Sequence, residues 1–327
     1  AGHDAHVENY GPDEVVATEP ASWDGLELLR DLDVTVVRSN QFLCHYEDFA
    51  EWADGRNNLK MEDFYRWQRR RLGYLMDGDG DDAEPAGGRW NFDKENREPP
   101  PDDTAFPEIP RFEPDETTQD VMALVADRFP DHFGTLKTFA WPVTDQDARR
   151  FLKDFLDRRL DCFGPYEDAM VSSSRALCHS LLSPLLNVGL LRPLDVCKQA
   201  AARYRDGAAR LNSVEGFIRQ ILGWREFIYQ VYHLKMPGYL QANFFEADLP
   251  LPSFYWDGET RMACVAQTVE AVRDYGINHH IQRLMITGNF ALIAGVNPQA
   301  VNDWYLTAYA DAYEWVVTPN VLGLALY

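Results

Sequence analysis

The sequence predicts a small α/β portion with a parallel sheet, then a long linker, then an all-helical domain that occupies the rest of the chain. Three observations predict this. A strand–helix–strand pattern stands near the start, an acidic Gly/Pro-rich stretch follows, and helical apolar spacing runs from Thr117 almost to the end.

Glu14 to Thr18 is a short β-branched run and Asp33 to Val37 is a second. Between them, Ser22 is placed to cap an amphipathic helix over Trp23 to Leu32, with Leu26, Leu28 and Leu29 as its apolar residues. A βαβ unit implies parallel pairing, and two strands alone make a poor sheet, so further strands are expected upstream of Ala1. A helical stretch over about Tyr46 to Met76 carries the basic cluster Arg66, Arg69, Arg70 and Arg71. Residues 77–116 read as an interdomain linker wrapped over the surface, with an unusually aromatic patch at Gly87 to Asp93. The domain bounds that follow are 1–76, 77–116 and 117–327.

In the last domain, Val121, Leu124 and Val125 share one face, and Phe151, Leu152, Phe155 and Leu160 share another. Ser213 is placed to cap a long helix whose inward residues are Val214, Phe217, Ile218, Ile221 and Leu222. Met262 to Tyr275 and His279 to Ala294 are further helices, and Pro298 suits the first turn of another.

Composition narrows the function classes. With 327 residues, 46% of them hydrophobic, the chain can bury more than one core. No apolar run is long enough to cross a bilayer, and the first residues carry no secretory pattern, so a cytoplasmic protein is expected. Cys44, Cys162, Cys178, Cys197 and Cys264 are dispersed without a CxxC pair, which does not read as a disulfide framework. The net charge is −21, and only six of the 31 basic residues are lysine, a composition suited to high salt. Taken alone, that charge argues against nucleic-acid binding, because phosphates repel an acidic surface.

Four segments carry chemistry. His179-Ser180-Leu181-Leu182-Ser183-Pro184 sets hydroxyls before an apolar helix, where free N–H groups favour an anion. Gly223-Trp224-Arg225-Glu226-Phe227 puts a charge pair in an aromatic helix. His279-His280-Ile281-Gln282-Arg283 sets two histidines and an arginine in an apolar helix. Trp304-Tyr305 and Asp311-Ala312-Tyr313-Glu314-Trp315 follow. Singly, each has an ordinary reading as a cap, a structural ion pair or a core histidine. Their joint occurrence in this order resembles the photolyase/cryptochrome family. Arg219 to Glu226, Tyr275 to Met285, Gly88 to Asp93 and Leu75 to Asp79 resemble its bacterial iron–sulfur branch of prokaryotic (6-4) photolyases.

The resemblance implies an incomplete Rossmann-like α/β domain followed by a helical FAD-binding domain. It implies light-driven repair of UV-damaged DNA, with the (6-4) photoproduct as the lesion, by electron transfer from excited reduced FAD. His179, Ser180, Leu182 and Ser183 match the flavin diphosphate and ribityl segment. Gln220, Trp224 and Arg225 match the adenine and lesion side. Arg283 and Asp311 match the pair beside the isoalloxazine, with Glu314 and Asn320 as further polar contacts. His280 matches the proton donor to the lesion, and His279 its neighbour. Trp304, Tyr305 and Trp256 match the aromatic electron path. Cys264 matches the first ligand of a [4Fe–4S] cluster whose other ligands are expected beyond Tyr327. A lumazine antenna is expected in segments upstream of Ala1. Val317 stands where the branch is usually acidic, a departure that bears on flavin redox tuning. The resemblance also implies a monomer that contacts DNA through Arg66, Arg69, Arg70 and Arg71. The competing readings are a cryptochrome-like blue-light receptor without repair, which would share the flavin site, and a flavin-binding relic without light chemistry.

Overall fold

A computed structural model describes residues 7–78 and 80–326. Strands β1 (Val16–Thr18) and β2 (Thr35–Val37) pair in parallel, with Val16 opposite Thr35 and Thr18 opposite Val37. The helix between them, Trp23–Arg30, is capped by Ser22, whose hydroxyl accepts from the Gly25 amide at 3.2 Å. Val16, Val36 and Val37 all remain exposed, so this pair buries little apolar surface.

The expected single helix over 46–76 is two, Tyr46–Ala53 and Met61–Leu72. Gly55, at φ +69°, lies in the break. The arginines of the second helix differ in environment. Arg69 is fully buried and donates to the carbonyls of Tyr74, Leu75 and Trp90, while Arg70 lies on the Trp90 ring at 4.8 Å. A uniformly solvated basic face is therefore not what this run forms.

The largest correction concerns the linker. Residues 84–97 are packed, not draped. Met76–Asp77 and Glu84–Pro85 pair antiparallel, and Ala86, Phe92 and Asn96 are buried. Two carboxylates of the helical domain hold this segment. Glu215 accepts from the Phe92 amide at 3.0 Å and from the Tyr65 hydroxyl at 2.9 Å. Glu167 accepts from the Asn96 side chain at 2.9 Å. Gly216 is required at this contact, because a Cβ there would lie 2.6 Å from Asn96 Nδ2 and 2.9 Å from Glu167 Oε2. Burial raises the pKa of both Glu215 and Glu167.

Helices then dominate. Two large apolar clusters form the core, one over residues between Phe151 and Leu222 with Tyr65 and Tyr74, the other over Tyr229 to Leu326. Helix Glu116–Arg128 does not bury the face expected of it, since Val121 and Leu124 are exposed and nothing among the described residues covers them. Ser213 is not a cap. It lies inside helix Leu211–Ile218, where its hydroxyl donates to Asp161 O at 2.7 Å and accepts from the Gly164 amide at 3.0 Å. Helices Ala263–Tyr275 and Pro298–Ala308 stand where expected, the latter capped by Asn297. Three helices are interrupted by π-helical turns, at Arg219–Arg225, Gln282–Gly288 and Val321–Ala325. No helix among the described residues is long and apolar enough to cross a membrane.

The α/β portion is joined to the helices through a buried charge pair. Glu226 accepts from the amides of Leu43 and Cys44, each at 2.9 Å, and Gln230 donates to Cys44 O at 2.7 Å. Arg225 donates to Gln41 O at 2.7 Å and lies over the rings of Phe42 and Trp315, at 4.3 and 5.0 Å. Phe42 in turn stacks on Tyr229 with centroids 3.5 Å apart.

Replacing Glu215 with Ala should strip the Phe92 amide and the Tyr65 hydroxyl of their acceptor while leaving Arg219 buried. A cost of about 2–4 kcal/mol is expected in urea unfolding, with faster proteolytic cleavage within residues 77–116.

Candidate functional site

Three separated segments converge in the helical domain. The first is residues 176–183. Leu177 and Leu181 adopt left-handed backbone, at φ +45° and +56°, on either side of His179. Such conformations cost about 1–3 kcal/mol each and persist only where the surroundings hold them. The surroundings here are specific. Arg159, fully buried, donates to His179 O at 2.7 Å and pairs with Asp154. Cys178 is joined to Cys162 by a disulfide with Cα atoms 5.8 Å apart. That bond corrects the reading of the cysteines as unpaired. The two are 16 residues apart and share no motif; the fold brings them within bridging distance.

The second segment begins at Asn278. The π-helical turn at Gln282–Gly288 follows His279 and His280. The third is the loop before helix Glu314–Asn320. Asp311 binds all three segments. Its carboxylate takes a two-pronged contact from Arg283, at 2.9 and 3.1 Å, and a hydrogen bond from Ser183 Oγ at 2.6 Å. Its carbonyl accepts from Asn187 Nδ2 at 2.9 Å. Arg283 also lies 4.2 Å over the Tyr309 ring and donates to Asn278 O. Burial lowers the Arg283 pKa, and the Asp311 carboxylate, Tyr309 and Tyr305 more than restore it, so the guanidinium stays charged.

His179, His279 and His280 form one cluster. The rings of His179 and His279 lie 4.2 Å apart, and His279 stacks on His280 at 4.5 Å. One ring nitrogen from each falls within 4.8 Å of the others, a spacing near that of a metal site. The hydrogen bonds argue against that use. His279 Nδ1 accepts from the Ile281 amide at 3.0 Å, so its Nε2 carries the proton and offers no lone pair. His179 Nδ1 faces Ala176 O at 3.2 Å, which leaves Nε2 as an acceptor. The buried Nε2 atoms of both have no hydrogen-bond partner. An N–H and a lone pair side by side suit a ligand that both accepts and donates. Burial pushes the His179 pKa down to about 3, with His280 adding to the shift. Burial and the His179 ring push His279 lower still.

His280 differs, being half-exposed, with Nε2 3.4 Å from Asp168 Oδ1. Asp168 is held below the usual carboxylate range by His280 first, with Arg97, 3.6 Å away, helping. Next to it, Glu167 accepts from Gln220 Nε2. The packed linker thus reaches the site through Asn96 and Arg97, which the sequence reading did not single out.

The aromatic residues also meet. Trp304 is fully buried and donates to Tyr255 O at 2.9 Å. Its ring lies 5.0 Å from Tyr255, 5.1 Å from Tyr305 and 5.6 Å from Tyr309, and Tyr305 stacks on Tyr309 at 5.1 Å. Trp256 adjoins Tyr255 in the chain and is exposed, with an edge contact to Phe133. Tyr255 and Tyr309 were missed. Spacing offered a signal for Tyr309, which stands one helical turn past Tyr305.

Other expected site residues are engaged elsewhere. Arg225 serves the junction with Gln41 and Phe42, though its Nε and Nη2 are buried without partners. Glu314 accepts from Tyr232, whose hydroxyl also accepts from the Trp23 amide. Asn320 donates to Val316 O at 2.7 Å. Leu182 is buried, Ser180 accepts from the Leu182 amide, and Trp224 and Val317 pack as partly buried and buried residues. Cys264 is exposed, while Cys44 and Cys197 are buried.

His179 is neutral in the folded chain down to about pH 3, but its unfolded form takes up a proton near 6.5. Stability that is present above pH 6.5 should therefore be lost as pH falls below it. Urea unfolding at pH 7.5 and pH 5 should show the loss, and His179→Gln should reduce the difference by about 1–2 kcal/mol.

Comparison with known proteins adds the following. Residues 1–141 match the family model described as deoxyribodipyrimidine photo-lyase-related protein. The chain is 47% identical over 327 aligned residues to a (6-4) photolyase of Agrobacterium fabrum, covering 98% of this chain and 64% of that protein. Among solved structures, a class III photolyase from Agrobacterium tumefaciens is similar with a TM-score of 0.61 at 18% identity, covering 99% of this chain and 63% of the other. A cryptochrome from Synechocystis gives 0.60 at 15% identity, covering 94% and 62%. The structural likenesses concern the fold. In each of these three pairings the chain spans less than two thirds of the relative's length.

Proposed function

We propose that this chain, whose residues 1–141 match the deoxyribodipyrimidine photo-lyase-related family model, is a light-driven DNA photolyase acting on (6-4) photoproducts, with FAD as its cofactor. The observation that carries this reading is the histidine cluster set beside the Arg283–Asp311 pair, with one member, His280, open to solvent and backed by Asp168. A relative that is 47% identical and named a (6-4) photolyase supports the same lesion class.

The residues present fit a flavin. The orphaned Nε2 atoms of His179 and His279, and Nε and Nη2 of Arg225, are buried polar groups that need a ligand to satisfy them. His179, Ser180, Leu182 and Ser183 would line the diphosphate and ribityl chain. Gln220, Trp224 and Arg225 would face the adenine and lesion side, with Glu314 and Asn320 as outer polar contacts. FAD, when bound and reduced, supplies light absorption and the transferable electron.

The chain's own part is positioning and proton control. Arg283, locked by Asp311, holds a fixed positive charge where negative charge on a flavin ring would sit. His280 would be the proton donor to the lesion, with Asp168, 3.4 Å away, fixing its ring. His279 and His179, kept neutral by burial, orient the pocket without competing for that proton. Trp256, Tyr255, Trp304, Tyr305 and Tyr309 would form the inward electron path, the ring separations being 5.0–5.6 Å among the last four.

Finer points belong to the same reading. The exposed valines of β1 and β2 support a larger Rossmann-like parallel sheet, and a lumazine antenna would belong to that α/β unit. The domains would be 1–76, 77–116 and 117–327, the middle one docked as described. A DNA substrate goes with a cytoplasmic location, and the lysine-poor acidic surface with a high-salt setting. The chain is read as a monomer. The residues present do not fit a [4Fe–4S] cluster: Cys264 is exposed, but the other free thiols are buried and Cys162 is bonded to Cys178. A receptor without repair gains no specific observation, whereas a solvent-open His280 favours chemistry on a bound lesion.

The protein, loaded with reduced FAD, should remove (6-4) photoproducts from UV-damaged oligonucleotides under blue light and not in the dark. No lesion loss despite bound, fully reduced FAD would refute the proposal. His280→Ala should lower the repair rate at least about 100-fold while flavin absorbance is retained. Trp304→Phe should slow photoreduction of oxidised flavin but spare repair by protein that is already reduced; equal photoreduction rates would remove Trp304 from the path.

A further inference from the structure

Most surface arginines of this chain are neutralised in place. Arg149, Arg150, Arg158, Arg192, Arg203 and Arg210 each pair with an aspartate. Arg111 and Arg175 break that rule together. They line one small cavity, of about 30 Å³, with Tyr275, Leu181, Thr138 and Trp141 among its other walls. Neither makes a salt bridge among the described residues, and both are exposed. The carboxylate next in the chain to Tyr275, Asp274, is already taken by Arg273 at 3.1 Å. Arg175 is held in place by its ring contact, the guanidinium lying 4.0 Å over Tyr275. Lost solvation, with the Arg111 charge acting in the same direction, lowers the Arg175 pKa. Two adjoining like charges without a counterion, in a protein of net charge −21, form a site that an anion would relieve.

Charge and place define the anion. Arg175 stands four residues before His179, and Tyr275 four before His279, so the cation pair lies on chain segments that lead directly into the histidine cluster. A planar guanidinium fork matches phosphate oxygens two at a time. We propose that Arg175 and Arg111 together clamp one backbone phosphate of the damaged DNA strand, next to the nucleotide that enters the histidine pocket. The clamp rests on the photolyase reading. It gives an acidic protein a local, sequence-independent hold on DNA exactly where the rest of the surface would repel it.

The test uses the full chain with FAD bound and a fluorescein-labelled duplex carrying a (6-4) photoproduct, with affinity measured by anisotropy over a series of KCl concentrations. Counterion release predicts a loss of about 0.9 in the slope of log K against log salt for each phosphate contact removed. Because both arginines hold one phosphate, the double variant Arg111→Gln/Arg175→Gln should lose about 0.9 and not twice that. Arg205→Gln, another exposed arginine without a salt bridge, should leave the slope unchanged. An unaltered slope in the double variant, or an equal drop in Arg205→Gln, would overturn the clamp. Loss of FAD at a wild-type slope would also overturn it, by assigning the pair to the cofactor's diphosphate. Wild-type protein that binds neither damaged nor undamaged duplex would remove the photolyase reading as well, whereas DNA binding with an unaltered slope removes the clamp alone.

Discussion

The Asp311 carboxylate is the contact on which the site depends. Segments distant in sequence meet on this residue: Ser183 and Arg283 donate to its carboxylate, and Asn187 to its backbone carbonyl. A buried carboxylate survives only when it is well paired, and here a two-pronged guanidinium, a hydroxyl and a ring beneath the arginine meet that need. The same pairing fixes the turn of helix that carries His279 and His280. The position of the histidine cluster is thus a consequence of how Asp311 is neutralised, and the left-handed residues Leu177 and Leu181 are tolerated because the segment between them is held at both ends.

Charge is used differently inside and outside. The surface is acidic, yet much of the interior is ordered by carboxylates that accept from backbone amides and side chains of other segments. Glu215 takes the Phe92 amide, Glu226 those of Leu43 and Cys44, and Glu167 the side chains of Asn96 and Gln220. Burial raises the pKa of all three, and that of Glu226 reaches about 7. Their partners Arg219 and Arg225 are buried beside them. Breaking such a pair costs more than either member contributes, because the survivor is left charged and dry.

What the sequence made legible were the features set by local rules. The βαβ unit, the Ser22 cap, the helix at Pro298 and the ordered motifs all follow from spacing and residue type within a few positions. The features that escaped are set by distant partners. Residues 84–97 look like part of a linker because the stretches on either side, 77–82 and 98–114, are rich in Gly, Pro and acidic residues, and nothing local says that Glu215 and Glu167 wait for Phe92 and Asn96. Ser213 reads as a cap until Asp161 and Gly164 claim its hydroxyl. Cys162 and Cys178 lack any motif. Val121 and Leu124 share an apolar face, as their spacing predicts, but periodicity does not say that anything covers it. Two of the three π-helical turns, Arg219–Arg225 and Gln282–Gly288, fall on the very motifs that carry the resemblance, and no propensity scale marks them; such turns are rare and often lie at functional sites.

The junction at Arg225 and Glu226 has a bearing on modularity. A boundary drawn at residue 76 or 116 would cut the chain where its composition changes, not where its cohesion does. The helical part owns the charges, but the segment around Phe42 owns the amides, the carbonyl and the ring that make those charges tolerable indoors. Neither part is a complete unit of inheritance. The helical part could not be transplanted onto another partner without carrying a matching strip of the α/β portion with it, so the two are constrained to evolve as a pair.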